Sequence, residues 1–265
     1  MMLVADIGGT TMRVASGDAD GTLREVRTHP TPPAFIDGMA LLAAEMQSLM
    51  GTEQIERIVI GVPGSVEDER TLVSAKHLPE WGGHDIKGAL EDALTVPVTL
   101  ENDTALGALG EAVKGAGTGF PIVAYVAIGT GIGGARIVDG AIDRNAYGFE
   151  IGHQYLSSTE ETELEELVSG AAVKEAEGVA AKDLIDEEKW QKYSKKFAHG
   201  LYNTLLHWSP DVVVLGGSLM RNNGMRVEDI VAELERINEV IPELPPVRKA
   251  ALEYPGLVGA LLLQD

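Results

Sequence analysis

An α/β fold made by duplicating one βββαβαβα unit is the architecture the sequence predicts, and three observations carry it. Two strand–turn–strand patterns, Ala5 to Val14 and Ala127 to Val138, are each broken by a run of Gly and Thr. Each is followed by segments whose apolar period switches between that of a helix and that of a strand. Between them, Gly115 to Gly119 and Pro121 interrupt both periodicities, which sets a boundary there. The halves are therefore expected at 1–114 and 115–253, flanking a cleft because the connection is short.

In the first half, Leu3 to Ile7, Met12 to Ala15 and Leu23 to Thr28 read as three antiparallel strands, with turns at Gly8-Gly9-Thr10 and from Gly17 to Gly21. A helix is predicted over Phe35 to Met50, a strand over Ile58 to Val62 and a helix over Ile86 to Leu94. A strand over Val96 to Leu100 and a helix from Thr104 to Val113 follow. The second half repeats the order from Ile122 to Ile128, through the break at Gly129-Thr130-Gly131, into a strand that ends at Val138. Helical patterns run from Glu163 to Val168 and from Glu187 to Trp208, before the apolar strand Val212 to Leu215. A helix near Val227 to Val240, a strand around Val247 to Leu252 and a closing helix over Gly256 to Leu263 complete the set.

Composition bounds the function. Of 265 residues 45% are apolar and 23% charged, the balance of a core-forming protein. No apolar run approaches the ~20 residues of a membrane helix and no signal-peptide pattern is present, so a cytoplasmic protein without a membrane partner is expected. A net charge of −20 without a basic stripe would repel nucleic-acid phosphates, so no nucleic-acid partner is expected. For the same reason a bound nucleotide would rest on backbone N–H groups, helix N-termini and magnesium rather than on massed lysines. The absence of cysteine removes disulfides, thiolate zinc sites and a cysteine nucleophile together.

Five motifs carry chemistry. Asp6 ends a strand beside Gly8-Gly9-Thr10-Thr11, whose backbone can approach a ligand closely or simply form a hairpin. A dinucleotide loop is unlike this, because a strand follows instead of a helix, and a Walker loop is excluded by the missing G-K-[ST]. Gly129-Thr130-Gly131-Ile132-Gly133-Gly134 stands at the corresponding place of the second half, and this recurrence favours phosphate binding over two unrelated hairpins. Gly216-Gly217-Ser218 marks a further strand-to-helix corner. Glu101-Asn102-Asp103-Thr104 lies where a strand gives way to a helix, a position that suits both a helix cap and a general base. Glu150-Ile151-Gly152-His153 and the later Glu165 offer the paired donors and acceptors that a polyol needs, although a lone His is also compatible with the core.

In this combination and order the motifs resemble the ROK family of sugar kinases and related repressors, within the hexokinase and actin-like ATPase (ribonuclease H-like) superfamily. The resemblance spans nearly the whole chain. It implies two actin-like domains, with the last helix, 254–265, crossing back to the first. It further implies an ATP-dependent, glucokinase-like transfer to the C6 hydroxyl of a hexose, with Asp103 as the base. Gly64 in the turn Pro63-Gly64, Asn102, Asp103, Glu150, His153 and Glu165 are the implied sugar contacts. Asp6, Gly8, Gly9, Thr10, Thr11, Arg13, Gly129, Thr130, Gly131, Gly133, Gly216 and Gly217 are the implied nucleotide contacts, with Asp6 near the magnesium of Mg-ATP. An N-acetylhexosamine kinase, above all one for N-acetylmannosamine, is the alternative enzyme, and a sugar-sensing protein without turnover is the alternative class. The lack of a basic helix-turn-helix before Asp6 argues against a DNA-binding repressor. A homodimer is left open.

The sequence departs from the family pattern twice. Phe149 stands before Glu150 where small residues are usual, and the family's cysteine-rich zinc segment after the histidine is replaced by Gln154 to Glu163, which holds no thiolate. Protein purified without chelator is therefore expected to carry no stoichiometric zinc. Elemental analysis checks this, and one tightly held zinc per chain would contradict it.

Overall fold

The computed structural model describes residues 1–75, 78–146, 148–157, 159, 161–221 and 224–264; Ser158 and Glu160 of the cysteine-free segment, and Asp265, lie outside them. The chain forms two compact units, Met1–Gly110 with Leu252–Asp265, and Glu111–Ala251.

Unit 1 opens with β1 (Met2–Ile7), β2 (Thr11–Gly17) and β3 (Leu23–Pro30), followed by α1 (Phe35–Met50), β4 (Ile58–Val62), β5 (Ser65–Glu67), β6 (Thr71–Ser74), β7 (His84–Asp85), α2 (Ile86–Leu94), β8 (Val98–Asn102) and α3 (Asp103–Lys114), the last running past the unit boundary. Its main sheet has the order β3-β2-β1-β4-β8. β1 and β4 are nearly continuous apolar runs, so they take central places where both faces are covered. Along α1 the residues Met39, Leu42, Met46 and Leu49 recur at helical spacing and are buried. Gly38 faces the fully buried Trp81, whose ring a Cβ would strike, while the indole N–H donates to the Pro32 carbonyl at 3.1 Å. β5, β6 and β7 form a separate small sheet that sequence periodicity misses, because strands of two to four residues show no alternation.

Unit 2 contains β9 (Ile122–Ile128), β10 (Ile132–Val138), β11 (Ala141–Ile142), α4 (Leu164–Val168), α5 (Gly170–Glu177), α6 (Glu187–Trp208), β12 (Val212–Gly216), α7 (Val227–Ile237) and β13 (Val247–Lys249). Its sheet runs β11-β10-β9-β12-β13. The two orders correspond strand for strand, with antiparallel β1-β2-β3 matched by β9-β10-β11, and parallel β1-β4-β8 by β9-β12-β13. The duplicated βββαβαβα architecture is thus present. Asp186 caps α6 by accepting the Lys189 N–H at 3.1 Å, and Trp190, Tyr193, Phe197, Leu201 and Leu205 line its buried face. β8 begins at Val98 rather than Val96 and α3 one residue early at Asp103; β13 stops at Lys249.

The closing helix α8 (Pro255–Leu262) belongs to unit 1. It is apolar all round and buried from Gly256 to Leu261, sharing a cluster with Met2, Val4, Ala15, Val59 and Leu106. Its last turn is closed by the Arg57 guanidinium, which donates to the Leu263 carbonyl. Two glycines permit its close approach to α3: a Cβ on Gly259 would overlap the Leu106 carbonyl oxygen, and one on Gly110 would overlap that of Pro255. Gly259→Ala is therefore expected to lower stability by about 1–3 kcal/mol through overpacking. Denaturant unfolding checks it; wild-type stability would mean that α8 does not lie this close to α3.

Candidate active site

In unit 1 the parallel pairing of β1, β4 and β8 sets Asp6 beside Gly61 and Gly61 beside Glu101, so the carboxyl ends of three strands finish together. Ligands of open α/β sheets bind at such ends. Asp6 sits here, with the Gly8-Gly9-Thr10 turn immediately after β1. The turn is held by the Gly8 N–H on the Thr11 carbonyl at 2.9 Å and by the Thr31 hydroxyl on the Gly8 carbonyl at 2.7 Å, leaving Thr10 exposed at its tip. Arg13, opposite Asp6 on β2, places a guanidinium nitrogen 3.4 Å from its carboxylate. Burial nevertheless raises the Asp6 pKa, with Arg13 acting in the opposite sense.

Gly64 and Asn102 are brought together, the Asn102 side-chain amide donating to the Gly64 carbonyl at 3.1 Å. Gly64 has a φ of 88°, a conformation that glycine adopts without strain. The Asn102 oxygen accepts the Ala105 N–H at 3.0 Å. Asn102 is therefore the residue that caps α3. The Asp103 carboxylate instead accepts from its neighbour, the Thr104 N–H at 2.6 Å and hydroxyl at 3.2 Å. Burial first, and the negative charge of Asp6 second, push the Asp103 pKa up to about 7, against the opposing Thr104 hydrogen bonds. A carboxylate poised there is a good proton acceptor near neutral pH. Glu101, not among the sequence-predicted contacts, also has a raised pKa, from burial and from Glu69.

In unit 2 the turn Gly129-Thr130-Gly131 joins β9 to β10 and exposes Thr130. The first turn of α5 is tied to this loop, since the Gly170 N–H donates to the Gly129 carbonyl at 2.7 Å and the Ala171 N–H to the Thr130 carbonyl at 3.2 Å. From α4, Glu165 accepts the Ile132 N–H at 2.8 Å, and a Cβ on Gly131 would overlap that carboxylate. Gly133 lies outside the turn, within β10 opposite Ala127. Gly216 ends β12 and Gly217 follows with a φ of 88°, so close to Ile128 that a Cβ would overlap its carbonyl oxygen. The Gly216–Gly217 corner and the Gly129 loop are thus neighbours.

Glu150 precedes and His153 ends a single 3-10 turn, Ile151–His153, whose Gly152 packs directly on the Ile132 carbonyl. Phe149 bridges to Gly134 and its ring stands edge-on to Trp208 at 4.8 Å; a Cβ on Gly134 would crowd Ile151 and Trp208. His153 is 48% exposed, so it is not a core histidine. Its Nδ1 lies 2.7 Å from the Glu163 carboxylate and its Nε2 3.9 Å from that of Glu150. The Glu163 hydrogen bond leads in raising the His153 pKa, burial opposes it, and the charges of Glu163, Glu165 and Glu150 add to it. Glu163 was missed by motif reading; its one sequence signal is its place as first residue of a predicted helix, and the observed α4 begins one residue later with Glu163 as its cap. Among the described residues no cluster of three or more His, Cys, Asp or Glu is arranged to hold a metal, and no helix is long and apolar enough to cross a membrane.

Two like-wound α/β units, each with a Gly-Thr loop after its first strand, define the actin-like ATPase class of folds. The ROK family model matches residues 2–265, and the chain belongs to the ROK family. It is 28% identical to a ROK hexokinase from Thermus thermophilus, over 98% of this chain and 96% of that one, with a TM-score of 0.84. The fructokinase of Pediococcus pentosaceus is 26% identical over 279 residues, covering 97% of this chain and 95% of that protein. The same fold, at 22% identity and a TM-score of 0.82 over 98% and 97% of the two chains, is found in a ROK family glucokinase from Streptomyces griseus in complex with glucose and AMPPNP.

The raised Asp103 pKa has a consequence for stability. The folded chain holds this proton up to about pH 7, whereas the unfolded chain releases it near 3.8, so the native state binds more protons across that interval. Ionising Asp103 therefore costs stability increasingly as pH rises from about 3.8, and in full above about 7. Asp103→Asn is expected to be more stable than wild type, by a margin larger at pH 8.5 than at pH 5.5. Paired thermal melts check this; a margin independent of pH would contradict it.

Proposed function

We propose that this chain transfers the γ-phosphate of ATP to the C6 hydroxyl of a hexose, glucose before other sugars, with Asp103 as general base. The enzymatic class is that of an ATP-dependent sugar kinase. The observation that carries the reading is the Asp103 carboxyl: released from capping by Asn102, it is left to take a proton and tuned to do so near neutrality. The sugar oxygen attacks the γ-phosphorus, the bond from that phosphorus to the β-phosphate oxygen breaks, ADP leaves, and the hydroxyl proton passes to Asp103. Phosphoryl transfer of this kind depends mainly on positioning and charge stabilisation.

Gly64, Asn102, Glu150, His153 and Glu165 are the proposed sugar contacts. The Gly8–Thr11 turn with Arg13, and the loops at Gly129–Gly131, Gly133 and Gly216–Gly217, are the proposed contacts for nucleotide, met through backbone amides and the exposed Thr10 and Thr130 hydroxyls. Asp6 supplies the hard oxygen donor that suits magnesium, and it remains partly accessible at 24% exposure. Magnesium bound with ATP neutralises phosphate charge.

ADP release measured across free hexoses and N-acetylated amino sugars identifies the acceptor; a preference for N-acetylmannosamine would replace the hexose assignment. With the best sugar, Asp103→Asn is expected to lower kcat by roughly 10²- to 10⁴-fold while sugar and ATP still bind. In wild type kcat/KM should rise with pH and level off above about 7, as Asp103 becomes ionised. Near-wild-type turnover of the Asn variant would overturn the mechanism.

A further inference from the structure

We propose that Glu163 is a positioning residue for His153, holding the imidazole by Nδ1 so that Nε2 is presented beside Glu150, and that this pair takes the place of a metal in the loop. The inference rests on the proposed sugar-contacting role of Glu150 and His153 and extends it to a residue that motif reading did not select.

An ionised carboxylate only accepts hydrogen bonds, so at 2.7 Å the proton lies on Nδ1 and points at Glu163. The second nitrogen is then directed by the first. Glu163 is suited to be the fixed partner. It pairs with Tyr155 in a backbone bridge, its own N–H donates to the Glu166 carboxylate at 3.0 Å where α4 begins, and its side chain is 26% exposed. Glu150, at 56% exposure, is the more open of the two carboxylates and is free to meet a ligand with Nε2. The backbone beneath His153 is fixed as well, through its N–H on the Glu150 carbonyl at 3.1 Å and the packing of Gly152 on Ile132. The remaining freedom of the ring is in its side-chain torsions, which the Glu163 bond removes.

Zinc does not fit this arrangement. His153 Nδ1 is already engaged by the Glu163 carboxylate, the sequence contains no thiolate, and the described residues offer no three-ligand cluster. The loop is instead closed by hydrogen bonds. The Leu164 N–H meets the Gln154 carbonyl at 3.0 Å, the Gln154 side chain donates to Ile151 at 2.9 Å, and Asn203 donates to the Gln154 side chain at 3.1 Å.

Imidazole ¹⁵N NMR on the ligand-free full chain, with the His153 signals identified by their loss in His153→Ala, should show Nδ1 protonated and its proton slow to exchange. Glu163→Gln should abolish that slow exchange; an unchanged His153 spectrum would overturn the proposal. In kinetics with the sugar found by the ADP screen, Glu163→Gln should raise the sugar KM roughly tenfold, the scale of removing a partner that orients a ligand group, with kcat within about threefold. Glu166→Ala removes the side chain that accepts the Glu163 N–H at the start of α4 without touching His153 and should leave that KM unchanged. In a His153→Ala background Glu163→Gln should add nothing. A KM penalty that persists there, an equal penalty in Glu166→Ala, or one tightly bound zinc per chain lost in His153→Ala would each overturn it. If no sugar is phosphorylated by wild type, the proposed function fails, while the NMR arm still decides the positioning role.

Discussion

Two carboxylates, Asp6 near the end of β1 and Asp103 at the start of α3 just past β8, must be kept partly out of water where the parallel strands β1, β4 and β8 finish, and the organisation of unit 1 follows from that constraint. Each carboxyl is pushed toward its neutral form by burial, and Asp6 adds its own charge to the pressure on Asp103. Such a site works against stability and has to be held by elements that do not share the strain. β1, β4 and β8 do so through their register, since moving any strand by one residue would turn its terminal side chain to the other face of the sheet. α8 completes the support from the far end of the sequence: Gly256 lies against Asp6, where a Cβ would sit 3.3 Å from the carboxyl carbon.

In the proposed reading unit 2 meets a different demand, presenting backbone amides and polar side chains to anionic and polyhydroxylated ligands on a chain of net charge −20. Its loops rest on one another at distances that exclude side chains. Gly131 abuts Glu165, Gly152 abuts Ile132, Gly170 abuts Gly129 and Gly217 abuts Ile128. A loop packed in this way holds its amides in place before a ligand arrives, and preorganisation of that kind lowers the ordering cost of binding. α4 and α5 are the hub, because the same short stretch reaches the glycine loop through Glu165, Gly170 and Ala171, and the imidazole through Glu163.

Most long elements were legible in the sequence. α1, β4, α2 and α6 have the bounds that periodicity assigns, since each has a strong apolar period or a capping residue such as Asp186. The elements that escaped were short or dominated by context: β5 to β7, β11, and α5, whose helical residues follow α4 after a single Ser. The glycine motifs, the Asn102-Asp103 corner and the Glu150–His153 turn were visible because composition there departs from what a strand or helix requires. Glu163 was not, because a glutamate before a helix is ordinary and nothing local ties it to a histidine ten residues earlier.

The sequence by itself determined the duplicated α/β order, the exclusion of thiolate chemistry and the positions of the loops, because these depend on local period, composition and backbone permissiveness. Only the tertiary structure decided that Asn102 and not Asp103 caps α3, that Asp103 titrates near 7, that Gly133 lies in a strand and that Glu163 holds His153. Each of those depends on which groups from distant segments share a desolvated space, and charge, burial and hydrogen-bond partners are properties of that space, fixed when the strands pair and the helices pack.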